Sequence, residues 1–175
     1  MSASSRRRSA APACRRADHA VLFARALLAF LLLPGVVAFV LPLLVFAPAR
    51  RFRADGLALV LPGVALLLWC VREFYTTGKG TLAPWSPPRH LVVSGPYRFS
   101  RNPMYVAVVV ILAGWATGFR SRSLANYAGL MAIVFFFRVV LFEEPWLDET
   151  HASRWQAYKA DVGRWIGRRT RRPDA

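Results

Sequence analysis

Two short blocks of this chain carry residues able to do chemistry on a charged ligand. The first is Gly95-Pro96-Tyr97-Arg98-Phe99-Ser100-Arg101-Asn102-Pro103-Met104-Tyr105, and the second is Glu143-Glu144-Pro145-Trp146-Leu147. Adjacent carboxylates beside apolar sequence are costly to desolvate and repel each other, so they call for cationic or hydrogen-bonding partners. Arg98, Arg101, Arg138 and Arg164 are the candidates. A guanidinium can also hold a ligand carboxylate by a two-pronged hydrogen bond. On the residues alone a plainer reading stays open, with Glu143 and Glu144 as solvated charges at headgroup level and Gly95-Pro96 as a turn.

What must position these blocks is a set of apolar runs. The chain is 55% hydrophobic yet carries a net charge of +15 and a pI near 11.5. Those properties are segregated: arginines crowd the N-terminus, the short connections and the C-terminus, and long apolar stretches lie between them. Residues 21–47, 57–71, 104–118 and 124–142 form four such stretches. The first and last are long enough to cross about 30 Å of hydrocarbon at about 1.5 Å per residue. The middle two must recruit amphipathic ends such as Trp69, Phe74, Tyr75, Tyr105 and Trp115. Pro34-Gly35, Pro42 and Pro62-Gly63 predict kinks that neighbouring helices must cover. The fold class expected is therefore all-α and polytopic, with about four transmembrane helices. Counting Lys and Arg, seventeen fall on the side holding both termini and the connection 72–101, against five on the other. The excess makes the first side cytoplasmic and puts both blocks on that face. Arg25 is close enough to its helix end to snorkel, whereas Arg138, one turn before Glu143, could snorkel or face inward.

Composition excludes several classes. Cys14 and Cys70 are too few for a disulfide framework or a metal cluster, so no metal ligands are assigned. The basic pI is explained by anionic headgroups, and no basic stripe or aromatic-interleaved basic motif points to nucleic acid. Ala47-Pro48-Ala49 loosely imitates a signal cleavage site, but the run before it is longer than the roughly 7 to 15 residues of a signal core and reads as a retained span. The domain organisation expected is a basic tail over 1–19, a membrane-embedded domain over 20–166 with a linker motif at 80–105 and a C-terminal motif at 143–166, and a basic tail over 167–175. The connection 76–102 lacks helical periodicity, yet its apolar content argues against disorder. After the last span, Trp146, Leu147, Trp155, Tyr158, Val162 and Trp165 recur at spacings of an amphipathic helix resting on the membrane or on the linker.

Leu91-Val92-x-Ser94-Gly95-Pro96-Tyr97-Arg98-x-x-Arg101-Asn102-Pro103-Met104-Tyr105, followed by Glu143-Glu144-x-x-Leu147 and Tyr158-x-x-x-Val162-x-Arg164-x-Ile166, resembles the isoprenylcysteine carboxyl methyltransferase and phospholipid methyltransferase superfamily. The resemblance runs from Gly80 to Ile166. It implies an all-helical membrane enzyme with an S-adenosylmethionine pocket at the cytosolic surface. It further implies cofactor contacts from Gly95, Tyr97, Arg101, Asn102, Pro103, Tyr105, Glu143, Glu144 and Tyr158, and catalytic roles for Arg164, on the acceptor side, and Glu144. The chain departs from the family pattern in two places. Asn102 stands where the family has His, and Asn keeps a hydrogen bond but cannot take up a proton, so an imidazole base there is ruled out. His151-Ala152 replaces Phe-Gly, and Trp155 replaces a tyrosine, so His151 reads as a packing residue.

Methyl transfer from a sulfonium to a carboxylate needs alignment and electrostatics more than acid or base help, because the nucleophile is already ionised. The expected activity is transfer to a lipophilic acceptor, a carboxylate such as a prenylcysteine-like group, entering laterally from the bilayer. Rivals are a phospholipid amine N-methyltransferase, an NADPH-dependent membrane reductase of related architecture, and a non-enzymatic membrane scaffold. Nothing in the first two spans identifies the acceptor.

Overall fold

Apolar runs broken by Pro and Gly at their ends can satisfy their backbone in hydrocarbon only as helices, and helices are what the chain forms. The computed structural model describes residues 31–46, 51–77 and 91–167, and no strand occurs among them. The basic tails, Cys14, Arg25, the start of the first span and most of the linker (78–90) lie outside the described residues. The first helix, α1, is Leu31–Val40 running on into Pro42–Phe46. Next come α2, Leu57–Thr76; α3, Pro103–Gly118; α4, Arg122–Arg138, extended by the turn Val139–Glu143; and α5, Glu144–Asp161. Two runs, Ala54–Thr76 and Arg122–Asp161, are long and apolar enough to cross a membrane, while Pro34–Val45 and Pro103–Gly118 are shorter apolar helices. The charged residues that begin at Glu143 put α5 beyond the apolar part of the second run. Leu61, Leu68, Leu130, Ile133, Phe137 and Phe142 point outward, an arrangement suited to lipid rather than water.

Helix α3 is the centre of the bundle, packed against α1, α2 and α4. Its contact with α2 rests on small residues. A methyl group placed on Gly56 would come within 2.6 Å of both the Gly114 carbonyl oxygen and the Gly118 Cα, and one on Gly114 within 2.8 Å of the Val60 backbone nitrogen. Gly114-x-x-x-Gly118 thus lets two backbones touch, the way membrane helices associate when burying apolar surface gains nothing over lipid. Gly56 faces Gly118 and Gly63 faces Ala107, so α2 and α3 run antiparallel. A short turn at Phe119–Ser121 returns α4 alongside, and the Ser121 hydroxyl caps it by accepting from the Leu124 N–H. The core between them is Leu67, Val108, Ile111, Leu112 and Ala128, with Ala38 from α1.

The first helix shows why its prolines are tolerated. Pro42 has no N–H, so one carbonyl a turn earlier loses its helical donor, in a helix whose turns are widened to an i→i+5 pattern. The Trp115 indole N–H donates to the Ala38 oxygen at 2.8 Å, and the Tyr127 hydroxyl donates to the Val37 oxygen at 3.2 Å. Side chains of α3 and α4 thus supply donors where proline leaves the helix one short.

Candidate functional site

The linker motif is set in place by α2. Near its end, Glu73 is buried and accepts hydrogen bonds from the Ser94 hydroxyl (2.5 Å), the Trp69 indole (3.3 Å) and the Arg72 guanidinium (3.4 Å). Gly95 follows with φ +57, and a Cβ there would strike Glu73 at 2.7 Å, so glycine is required on both conformational and steric grounds. The chain then makes a 3-10 turn, Gly95–Arg98, which buries Tyr97 edge-on against Phe74. That burial pushes the Tyr97 phenol well above its ordinary value. Pro103 occupies the first position of α3, where its missing N–H costs nothing.

The C-terminal motif reaches the linker because α5 is bent. Ala152 has φ 24 and ψ −103 inside the helix, and Gln156 donates to Asp148 at 2.5 Å across the bend. In a straight helix residues eight apart would be separated by about 12 Å. The bend carries Trp155 and Tyr158 back to the linker. The Tyr158 hydroxyl donates to the Tyr97 carbonyl at 2.6 Å, and the Arg101 guanidinium lies over the Trp155 ring, 5.4 Å from its centroid. His151 is half-buried with its ring edge-on to Trp146, the packing role expected for it.

Two ion clusters result. In the first, Glu144 accepts from Arg101 Nη1 at 2.9 Å and takes a two-pronged fork from Arg164, Nε at 2.8 Å and Nη2 at 2.9 Å. The Arg101 and Glu144 side chains are 4% and 9% exposed, while Arg164 is 34% exposed. Burial opposes charge on Glu144, but the Arg164 hydrogen bonds and the Arg101 charge outweigh it and hold the carboxyl below the usual range. The Arg101 N–H donates to the Gly163 carbonyl at 3.0 Å, and the Asn102 amide donates to the Arg164 carbonyl at 3.1 Å, stitching linker to C-terminal segment through the backbone as well. In the second cluster Glu143 accepts from the Tyr105 hydroxyl and from Arg138 Nε (2.9 Å), which also donates to the Tyr105 oxygen at 3.0 Å. Arg138 therefore pairs with Glu143 while leaving 46% of its side chain exposed.

Every residue expected at the site falls within this corner. Glu144, Arg101, Arg164, Asn102, Tyr97 and Tyr158 form one connected network. Glu143 and Tyr105 form the neighbouring cluster, and Gly95 and Pro103 shape the linker backbone at either end. Arg98, offered as a carboxylate partner, is exposed. Two contributors were not anticipated: Glu73, which anchors Ser94, and Trp155 as the platform for Arg101. Alongside the second cluster a groove of about 310 Å³ runs between α3 and α4, lined by Val106, Val109, Val110, Ala132 and Phe135. Tyr105 stands at its polar end with Phe136 and Trp165, whose rings stack at 6.3 Å.

The family model described as phospholipid methyltransferase matches residues 52–154, which takes in α2, the linker, α3, α4 and the first limb of α5. Neither a curated protein nor a solved structure matches the chain. The matched stretch contains both clusters' carboxylates and the linker motif, and it exceeds half of the 175 residues. With that match, the chain belongs to the phospholipid methyltransferase family, whose members are membrane-embedded, and membership implies methyltransferase activity.

Proposed function

We propose that this protein transfers a methyl group from S-adenosylmethionine to a lipid-borne acceptor at the cytoplasmic surface of the membrane, with four crossings and both termini cytoplasmic. The observation that carries this reading is the Arg101–Glu144–Arg164 triad, which locks the two motifs together beside the half-exposed Glu143 cluster. The donor set suits a zwitterionic cofactor: a carboxylate and a phenol for its cationic end and ribose, and partly exposed guanidiniums for its carboxylate. Glu143, Tyr105 and Asn102 would contact the cofactor, and Arg164 the acceptor or the cofactor's carboxylate. Gly95, Tyr97, Arg101, Pro103, Glu144 and Tyr158 hold these groups in place. Bound there, the cofactor supplies a methyl group activated by a sulfonium.

What the chain contributes is alignment and a fixed field. Glu144 orients Arg164 by two parallel hydrogen bonds, so the guanidinium is held before any acceptor arrives. Arg138 and Arg164 give the corner a positive edge that favours an acceptor with a carboxylate or phosphate. With a carboxylate acceptor no proton has to move. A second reading, a phospholipid amine, is favoured by the description of the matching family. The phosphate would then meet the arginines, and Glu143 would take the proton the amine releases. The family match lends no support to the reductase or scaffold readings.

Detergent-purified protein should be stabilised by S-adenosylmethionine or its demethylated product, since a ligand of the folded state raises the melting temperature by mass action. A shift with NADPH and none with either methionine derivative would overturn the reading. Radiolabelled methyl incorporated into lipid extract, then treated with alkali, separates the acceptors: an ester releases methanol and an N-methyl amine does not.

A further inference from the structure

We infer that the groove between α3 and α4 seats one hydrocarbon chain of the acceptor lipid, and that the Phe136–Trp165 stack at its polar end sets which chains can enter. The inference rests on the methyltransferase reading for the word acceptor, but its physical basis is independent of it. Val106, Val109, Val110, Ala132 and Phe135 present only hydrocarbon to the groove. Its volume, about 310 Å³, lies at the small end of ligand sites and suits a single chain rather than a whole lipid. Both walls are apolar helices, so the surrounding medium supplies acyl chains and no water has to be displaced.

The polar end decides the occupant. Tyr105 closes the groove with its ring tilted against Phe135, centroids 4.6 Å apart, while its hydroxyl joins Glu143 and Arg138. A chain lying in the groove therefore delivers its headgroup to the exposed Arg138 and partly exposed Arg164 guanidiniums, which complement a phosphate or carboxylate. Trp165 comes from the C-terminal segment, next to the Arg164 that grips Glu144, and it reaches back to stack on Phe136 of α4. The indole is thus both a wall of the groove and the neighbour of the ion triad. A chain too bulky to pass it must displace it, and displacing it pulls on Arg164. Chain selection and the geometry of the charged corner are coupled through one backbone step.

The test uses full-length protein in detergent, without cofactor, titrated with palmitoyl-oleoyl phosphatidylglycerol and read by native mass spectrometry. One retained lipid per chain is expected. Val110→Trp fills the groove from α3 without touching a charged group and should lower retention at least about tenfold. Leu130→Trp, on an exposed face of α4 away from the groove, should leave it unchanged. Trp165→Ala should admit a branched-chain (phytanyl) phosphatidylglycerol that the parent protein excludes. Equal retention by Val110→Trp and the parent, or equal loss in Leu130→Trp, overturns the assignment. Retention is measured without turnover, so a protein that holds lipid and transfers no methyl group counts against the activity alone.

Discussion

Replacing Glu144 by Gln removes the charge that two arginines share while keeping shape and one acceptor oxygen. Of those arginines, Arg164 can turn part of its guanidinium to water, but Arg101, 4% exposed, cannot. Removing one partner of a buried ion pair costs about 3 to 5 kcal/mol, and the retained oxygen, the Trp155 face and the other contacts of Arg101 offset part of that. A loss of about 3 kcal/mol is expected, or roughly 6 to 12 °C in melting temperature for a chain of this size. Thermal unfolding of detergent-solubilised protein, followed by size-exclusion, measures it. Arg101→Met alone should be costly too, yet combining it with Glu144→Leu should cost less than the two added, because the double variant leaves no charge stranded. Strict additivity, or a Glu144→Gln protein within about 1 °C of the parent, would refute the triad as the lock between motifs. The pH dependence follows from the depressed Glu144 carboxyl. Its stabilisation is fully present above the ordinary value of 4.5 and is lost as pH falls through the lower folded-state value. The parent should lose stability in that acid window, and Glu144→Gln should lack that component.

Ala152→Gly should raise stability by about 1 kcal/mol, because φ 24 is strained for a residue with a Cβ and glycine lessens that strain; an unchanged or lowered melting temperature would mean the bend does not exist as described. For orientation, single cysteines at Arg53 and Ser121 in a background lacking Cys14 and Cys70 should be labelled from outside intact cells and one at Gly80 should not. Arg53 and Gly118 are joined backbone to backbone at 2.9 Å, so the first two positions must label together.

Much of the geometry of the candidate site was legible because its pairings are written in residue type. Paired carboxylates at an apolar boundary demanded arginines, and the four named in advance include the three that bind them. Which arginine serves which carboxylate was not legible: Arg101 and Arg164 lie 43 and 20 residues from Glu144, separations that no helical spacing rule covers. Glu73 escaped notice for a related reason. One turn from a helix end and beside Arg72, it reads as a headgroup-level charge, and only the return of Ser94, 21 residues later, makes it an anchor. The apolar runs gave the helices, although α2 extends to Thr76 because Arg72, Glu73 and Thr76 tolerate the last turn where hydropathy has already faded. The bend in α5 had a signal in the departure at His151-Ala152, but alanine is a strong helix former and gave no hint of a break.

Pro42 also bears on the order of biosynthesis. A chain is made from its N-terminus, and α1 emerges with its Val37 and Ala38 carbonyls one helical donor short because of Pro42. The donors that satisfy them, Trp115 and Tyr127, lie 77 and 90 residues further along. At about 5 to 20 residues per second, they arrive roughly 4 to 18 seconds later. An unsatisfied carbonyl away from water costs several kcal/mol, so until then α1 is poorly suited to an apolar interior. Its settled packing is a product of the later helices, and truncation before α3 would leave it without that support.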